Sequence, residues 1–398
     1  MLSLDKVFNA QTVLKNIVRE TKLVRAYGIA PDCELYLKPE NLQITGSFKV
    51  RGSAYKIAML TDEEKKKGVI ACSAGNHAQG VALAATKNGI KSLICLPDSA
   101  PISKVEATKS YGAEVCLVEG CYDDAYARAL QLRDSEGYTF VHPFDDENVI
   151  AGQGTIALEI LNDLDNIDAI VVPIGGGGLI SGIAYTVKQI RPSVKVYGVQ
   201  AAGAPSMYNS VKDGEIECLS SVSTIADGIA VKKPGENTFR YVSEYVDEVA
   251  LVTDDEVSSA ILALIEKQKM IAEGAGAAAV AAVMFNKFNL KGKKVVAIVS
   301  GGNIDVTSLS RVIERGLMKS GRSSSLLLEL MDKPGQLKDV SRIIADCGGN
   351  VTSVHHERAG STESVNGCYL RIKMETRNYE HVIEIKKALQ SEGFKIVE

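Results

Sequence analysis

The sequence predicts an α/β protein: two open, parallel-sheet α/β subdomains followed by a small C-terminal βαββαβ module. Three observations predict it. Between roughly residue 50 and residue 320, short apolar runs alternate with segments of helical period. Most of those runs are continuous rather than alternating, the pattern of strands covered on both faces. Beyond Gly316 the order changes to strand, helix, strand, strand, helix, strand. Alternating βα units imply parallel sheets, and the compact tail implies a separate domain.

Taken in order, strands are predicted over residues 69–72, 92–96, 115–118, 139–141, 169–172, 194–199, 249–252 and 295–299. Helical periodicity fills the intervals at 79–88, 104–111, 122–133, 179–191 and 254–268. Residues 271–285 are apolar but carry Glu273, Gly274 and Gly276, so they read as a buried helix. The Ser-rich stretch 319–324 reads as a linker. After it come a strand at 326–331, a turn at Asp332-Lys333-Pro334-Gly335, a helix at 336–346 and a turn at 347–349. A strand at 350–357, a polar turn at 359–364, a strand at 367–374, a helix at 379–390 and a strand at 394–397 complete the module. The expected division is 1–320, with a smaller subdomain of about 45–145 inserted in the larger one, and 323–398.

Composition narrows the function classes. The 398 residues are 45% hydrophobic and 24% charged, which fits two or three globular domains. A net charge of -4 argues against a nucleic-acid partner, which would call for a basic excess. The longest basic run, Lys65-Lys66-Lys67, follows Glu63-Glu64 and reads as a solvated helix face. No apolar stretch reaches the roughly 18–20 residues of a membrane span. The first residues, with Asp5, Lys6, Lys15, Arg19 and Glu20, show no signal-peptide pattern. The eight cysteines form no C-x-x-C pair and read as reduced thiols, so a cytoplasmic protein is expected.

Ligand sites of open α/β folds lie at the carboxyl ends of the strands. Three predicted strands end in unusual loops. The first runs into Ser73-Ala74-Gly75-Asn76-His77, where a following helix start would offer free amides to a carboxylate or phosphate. The second runs into Gly175, Gly176, Gly177 and Gly178, followed by Leu179. A turn needs one or two glycines, so four imply that something comes close to the backbone. Phosphate is the natural guest, but neither a dinucleotide fingerprint nor a P-loop is present. The third runs into Ser300-Gly301-Gly302-Asn303, which presents a hydroxyl at the crevice. A fourth element, Thr45-Gly46-Ser47-Phe48-Lys49-Val50-Arg51-Gly52, opens a helix with Lys49 behind an aromatic side chain. A partly buried lysine has a lowered pKa and can serve as an amine nucleophile or base. Phosphate loop, amine and hydroxyl together fit a phosphorylated aldehyde cofactor better than a nucleotide.

Smaller signals have plainer readings. Asp145-Asp146-Glu147 precedes a helix whose dipole favours carboxylates, with a substrate-pocket wall as the alternative. His142 is held extended by Pro143. His355 and His356 alternate across a strand, so the pair cannot face one metal.

On these motifs, together with Ala226-Asp227-Gly228-Ile229-Ala230-Val231-Lys232, the chain over residues 5–320 resembles the threonine dehydratases (threonine ammonia-lyases). These belong to the β-family, or fold type II, of pyridoxal 5'-phosphate enzymes, with a tryptophan synthase β-like fold. The tail, with Asp332-Lys333-Pro334-Gly335-Gln336-Leu337, resembles an ACT domain, an amino-acid-binding regulatory module.

The resemblance implies pyridoxal 5'-phosphate as cofactor, with Lys49 joined to its aldehyde and Phe48 flanking its ring. It implies Asn76 on the phenolic oxygen and Gly175, Gly176, Gly177, Gly178 and Leu179 on the phosphate. Ser300 would meet the pyridine nitrogen, and amides of Ser73, Ala74, Gly75, Asn76 and His77 would take the substrate carboxylate. The implied reaction is dehydration and deamination of L-threonine to 2-oxobutanoate and ammonia, with weaker action on L-serine and allosteric control, as in isoleucine biosynthesis. Serine racemases of this fold carry a serine before the Gly-Asn-His, where this chain has Ala74. Thr45, Gln79 and Asn303 match positions of a nucleotide (AMP) effector in shorter members, whereas an ACT domain implies an amino-acid effector and a homodimer or homotetramer. No metal is implied, Asp227 and Glu273 being candidates for a cation near the cofactor. The alternatives are serine racemisation, another β-family elimination or replacement, or a non-catalytic amino-acid sensor.

Overall fold

The computed structural model describes residues 1–358 and 367–397, and the predicted polar turn at 359–364 lies outside the described residues. The chain divides into two compact units, Met1–Leu309 and Ser310–Glu398.

The first unit holds two sheets. The larger has six strands in the order Val24–Arg25, Glu34–Pro39, Lys294–Val299, Ala169–Pro173, Lys195–Ala201 and Glu248–Val252. All its pairings are parallel except the short edge pair Val24–Arg25 with Glu34–Pro39. The smaller has four parallel strands in the order Glu114–Val118, Ser92–Pro97, Val69–Cys72 and Thr139–Phe140. Every residue of Val69–Cys72 and Ala169–Pro173 is buried, as the unbroken apolar runs require of strands covered on both faces. The two edge strands of the smaller sheet, Glu114–Val118 and Thr139–Phe140, are exceptions, with no fully buried residue. Strand Glu34–Pro39 was not legible as a strand. Its Glu, Tyr and Lys positions interrupt the apolar run, yet Leu35, Leu37 and Lys38 are all buried.

Glycines decide how closely three helices meet. Helices Lys49–Ala58 and Glu147–Asp163 cross at Gly52 and Gly152. A Cβ on Gly152 would lie 2.7 Å from the Arg51 carbonyl oxygen and from Gly52 Cα. Helix Gly178–Ile190 approaches from the other side, where a Cβ on Gly182 would come within 2.3 Å of the Ile150 carbonyl oxygen. No side chain larger than glycine fits these crossings without moving a backbone.

A buried charge cluster locks the same place. Arg51 is 1% exposed and grips Glu40 with Nε and Nη2 at 2.8 Å each. Its Nη1 reaches Glu159 Oε1 at 2.6 Å, and Lys38 pairs with the other oxygen of Glu159. Two cations face two carboxylates, and Thr21 and Thr155 hydroxyls fill further positions. Burial alone would raise the Glu40 pKa, but the adjoining guanidinium overrides it and holds the carboxyl below its usual range.

The second unit contains a four-stranded antiparallel sheet in the order Asn350–Arg358, Gly367–Glu375, Ser323–Met331 and Lys395–Ile396. Helices Gln336–Asp346 and Tyr379–Ser391 pack on one face, over Leu326, Leu328, Leu330, Leu370 and Ile372. Ser323 and Ser324, grouped with a linker on composition, are instead the first rungs of a strand, paired with Glu375 and Met374. Hydroxyl side chains are compatible with a ladder, so serine content alone did not mark a linker there. No helix among the described residues is long and apolar enough to cross a membrane.

Candidate active site

The loops after three parallel strands and the start of helix Lys49–Ala58 converge in the first unit. Strand Lys294–Val299 ends in Ser300 and Gly301. Ser47 bridges to Gly301, and the Phe48 amide donates to the Ser300 carbonyl at 3.0 Å. The Gly302 amide donates to the Gly46 carbonyl at 2.9 Å. Lys49, first residue of its helix, is therefore tied to the strand end by the residues just before it. Its Nζ donates to the Pro143 carbonyl at 2.8 Å and lies 5.4 Å from the centre of the Phe48 ring. Burial pushes the Lys49 amine down to about 8, against the upward pull of Glu273.

Asn76 opens helix Asn76–Lys87, which has no side-chain cap at Gly75. The first amides of that helix have no intrahelical partner and lie at the carboxyl end of Val69–Cys72. The Gly75 amide donates to Ser73 Oγ at 3.1 Å, and Ala74 contributes no polar side chain. The Asn76 amide group is fixed from both ends. Its Nδ2 donates to Glu273 Oε1 at 2.6 Å, and its Oδ1 accepts from Asn303 Nδ2 at 2.8 Å. Asn303 Nδ2 also donates to the Thr45 carbonyl at 2.7 Å and to Gln79 Oε1 at 3.4 Å. Asn303 thus joins Thr45, Gln79 and Asn76. Glu273 is 6% exposed, and burial, reinforced by the charge of Asp227, raises its carboxyl to about 7.

The glycine run is explained residue by residue. Gly177 has φ +98°, a left-handed conformation that favours glycine, and caps helix Gly178–Ile190. A Cβ on Gly176 would strike the Phe144 ring at 2.4 Å, and one on Gly178 would meet Phe144 Cα at 2.9 Å. A Cβ on Gly175 would lie 3.0 Å from Ile229 Cα. Leu179 follows inside the first turn and is 5% exposed. First-turn amides and the positive end of the helix dipole face this corner, as an anion requires.

The segment from His142 to Asp146 joins the amine to the glycine corner, where the sequence suggests at most a pocket wall at Asp145-Asp146-Glu147. Pro143 receives Lys49, and Phe144 covers Gly176. His142 Nδ1 accepts from the Phe144 and Asp145 amides at 3.2 and 2.7 Å. Asp146 caps the helix that follows it, as expected. Asp145 instead caps a distant helix, Glu236–Tyr245, by accepting from the amides of Glu236, Asn237 and Thr238. Thr238 Oγ1 then donates to the Gly176 carbonyl at 2.6 Å. The signal available was position: the segment follows the carboxyl end of strand Thr139–Phe140.

The other predicted residues are placed as follows. Ser300 is buried and donates to the Ala275 carbonyl at 3.3 Å. The His77 ring is buried, contacts the Val141 carbonyl at 2.8 Å and is held neutral by burial, with a pKa near 3. Asp227 is exposed and paired with Lys104 at 2.8 Å, while Glu273 is engaged by Asn76. Among the described residues, neither belongs to a group of three His, Cys, Asp or Glu side chains close enough to hold a metal ion.

The family model described as "Pyridoxal-phosphate dependent enzyme" matches residues 14–301. A Thermotoga maritima protein named L-threonine ammonia-lyase is 48% identical over 398 residues, covering 100% of this chain and 99% of its own. The processed form of threonine deaminase isoform 2 from Solanum lycopersicum superposes with a TM-score of 0.76 at 38% identity, over 79% of this chain and 90% of that one. Maize serine racemase superposes with a TM-score of 0.75 at 35% identity, over 80% and 98%.

Proposed function

The chain belongs to the pyridoxal-phosphate dependent enzymes, and on that premise we propose that it is a threonine ammonia-lyase, converting L-threonine to 2-oxobutanoate and ammonia and L-serine more slowly. The observation that carries the reading is Lys49, an amine whose proton is loosened by burial, held at the meeting point of the strand-end loops. The donor set suits the cofactor. It combines this amine for an aldehyde, a corner of four glycines beside a helix N-terminus for a phosphate, and a buried hydroxyl, Ser300, for a ring nitrogen.

When bound, the cofactor supplies an aldehyde that takes up amino groups and a ring that withdraws electrons from the substrate's Cα. Lys49 Nζ, neutral once deprotonated, removes the Cα proton. Open amides at the start of helix Asn76–Lys87 hold the substrate carboxylate, which fixes that proton toward the amine. Glu273 and Asn303 orient Asn76, which has no freedom to flip. Ser300 offers a neutral hydroxyl where a carboxylate would keep a ring nitrogen protonated, so the electron sink is weaker and loss of the β-hydroxyl is favoured over transamination. Ala74 carries no proton for the opposite face of Cα, which disfavours racemisation. Equal yields of 2-oxobutanoate and ammonia from L-threonine test the reading. D-serine without keto acid would overturn it in favour of racemisation.

The amine's position predicts a pH dependence. A lowered lysine pKa means that the neutral nucleophile is present above about pH 8 rather than above the ordinary lysine value of 10.5. Cofactor uptake by the cofactor-free protein, followed by absorbance, is expected to accelerate as pH rises and to level off above about 8. A rate that keeps climbing toward 10.5 would place the amine in solvent instead.

Residues 323–398 are, in this reading, an ACT domain that binds an amino-acid effector between paired copies, in a homodimer or homotetramer. The βαββαβ order and antiparallel sheet support it. Asn303 bonds Thr45 and Gln79 as well as Asn76, which favours service to the cofactor site over an AMP site. Removal of residues 323–398 is expected to leave turnover within a few-fold of the intact chain and to erase the response to isoleucine or valine. A response that survives truncation would put the effector elsewhere.

A further inference from the structure

The second unit contains a cluster of chemically mixed side chains that catalysis does not use. Asp332, His356 and Cys368 each offer one ligand atom, and these atoms all lie within 4.8 Å of one another. They come from three neighbouring chain segments. Cys368 is on the central strand Gly367–Glu375, opposite Leu330 and Arg358. His356 lies two residues from Arg358 along one neighbouring strand, and Asp332 two residues beyond Leu330 on the other side. Period-two alternation puts His356 and Cys368 on the same face of the sheet. A cavity of about 370 Å³ opens on the cluster, lined also by Lys333, Gly335 and Leu337.

We propose that Asp332, His356 and Cys368 form a binding site for a divalent cation of the zinc type, with one coordination position open to the cavity. The donor set selects the ion. A thiolate and an imidazole beside one carboxylate suit zinc or its late first-row neighbours, whereas magnesium and calcium take oxygen ligands. Around a tetrahedral zinc with bonds of about 2.0–2.3 Å, ligand atoms stand roughly 3.3–3.7 Å apart. The cluster therefore has to close by about 1 Å, which rotation of two exposed side chains, Asp332 and His356, can supply. Cys368 is 1% exposed and is the fixed point of the three. The first turn of helix Gln336–Asp346 lines the same cavity through Gln336 and Leu337.

The test uses the full-length, cofactor-loaded enzyme, stripped with a chelator and titrated with Co²⁺ as a spectroscopic stand-in for Zn²⁺. Expected are one Co²⁺ per chain, a thiolate-to-cobalt charge-transfer band, and displacement by Zn²⁺. Cys368→Ser is expected to remove the band. His356→Ala and Asp332→Asn are each expected to weaken binding at least about tenfold, since loss of even an outer-shell partner costs that much. Those two side chains are exposed, so the variants keep the core even where Cys368→Ser disturbs it. Absence of a stoichiometric site, or unchanged cobalt affinity in His356→Ala and Asp332→Asn, overturns the proposal.

Discussion

Lys49→Ala is expected to leave a folded protein that forms no detectable 2-oxobutanoate, with turnover reduced by at least about 10⁴-fold. One amine serves both as the attachment point for an aldehyde and as the proton acceptor, and each role alone commonly contributes 10²–10⁴-fold. Stability is expected to move the other way. The folded amine titrates at about 8, below its unfolded value of 10.5. A depressed lysine pKa contributes stability that is fully present above 10.5 and lost as pH falls through about 8. At pH 7 the cofactor-free wild type therefore folds against the cost of a buried ammonium, and alanine removes that cost. Thermal unfolding at pH 7 should show the variant at least as stable as the cofactor-free parent. Near-normal turnover by Lys49→Ala would remove the basis of the catalytic reading. Inactivity together with a large fall in melting temperature would mean that the residue acts through packing.

How much of this was legible depends on the range over which the information is written. Strands Val69–Cys72 and Ala169–Pro173 announce themselves because burial on both faces demands unbroken apolar runs. The glycine corner was legible because Gly176 and Gly178 leave no space for a Cβ, a constraint that only composition can express. The role of Phe144, the ring that fills that space, was not. Nothing local to an aromatic residue after a proline says which backbone it will cover. Asp145 illustrates the same limit: helix dipoles favour a carboxylate at any N-terminus, and sequence offers the adjacent helix, whereas the fold supplies a distant one at Glu236. Strand Glu34–Pro39 was hidden because its buried lysine, read locally, belongs in solvent. It is buried because Glu159 arrives from another helix and the Thr21 carbonyl accepts from the same amine.

That lysine belongs to the cluster around Arg51, which yields the largest expected effect on stability. Arg51→Met is expected to destabilise the first unit by about 3–5 kcal/mol, the usual consequence of removing one partner from a buried ion pair. Glu40, with no exposed surface, and Glu159 would then share a single cation, Lys38. The sign of the pH dependence distinguishes this cause from lost packing. In the wild type, Glu40 titrates below its usual 4.5, so its contribution is present above that value and is lost as acid protonates the folded carboxylate. In Arg51→Met the same carboxyl is buried beside a weaker counter-charge, and burial raises its pKa. Stability of the variant should then rise as pH falls from neutral toward about 4.5, a range over which the wild-type contribution of Glu40 stays constant, its loss coming only below that value. Adding Glu40→Gln should recover part of the loss by removing the unmatched charge. Urea unfolding across this pH range, at fixed ionic strength, reads both slopes. Turnover is a second readout, because Arg51 lies two residues beyond Lys49 on one helix and pins that helix to Glu40 and Glu159. A shift of about 1 Å in a reacting group can cost about 10²-fold, so turnover should fall more than substrate affinity. A variant within about 0.5 kcal/mol of the parent, the range of an ordinary surface substitution, would show that the cluster neither stabilises the unit nor holds the amine in place.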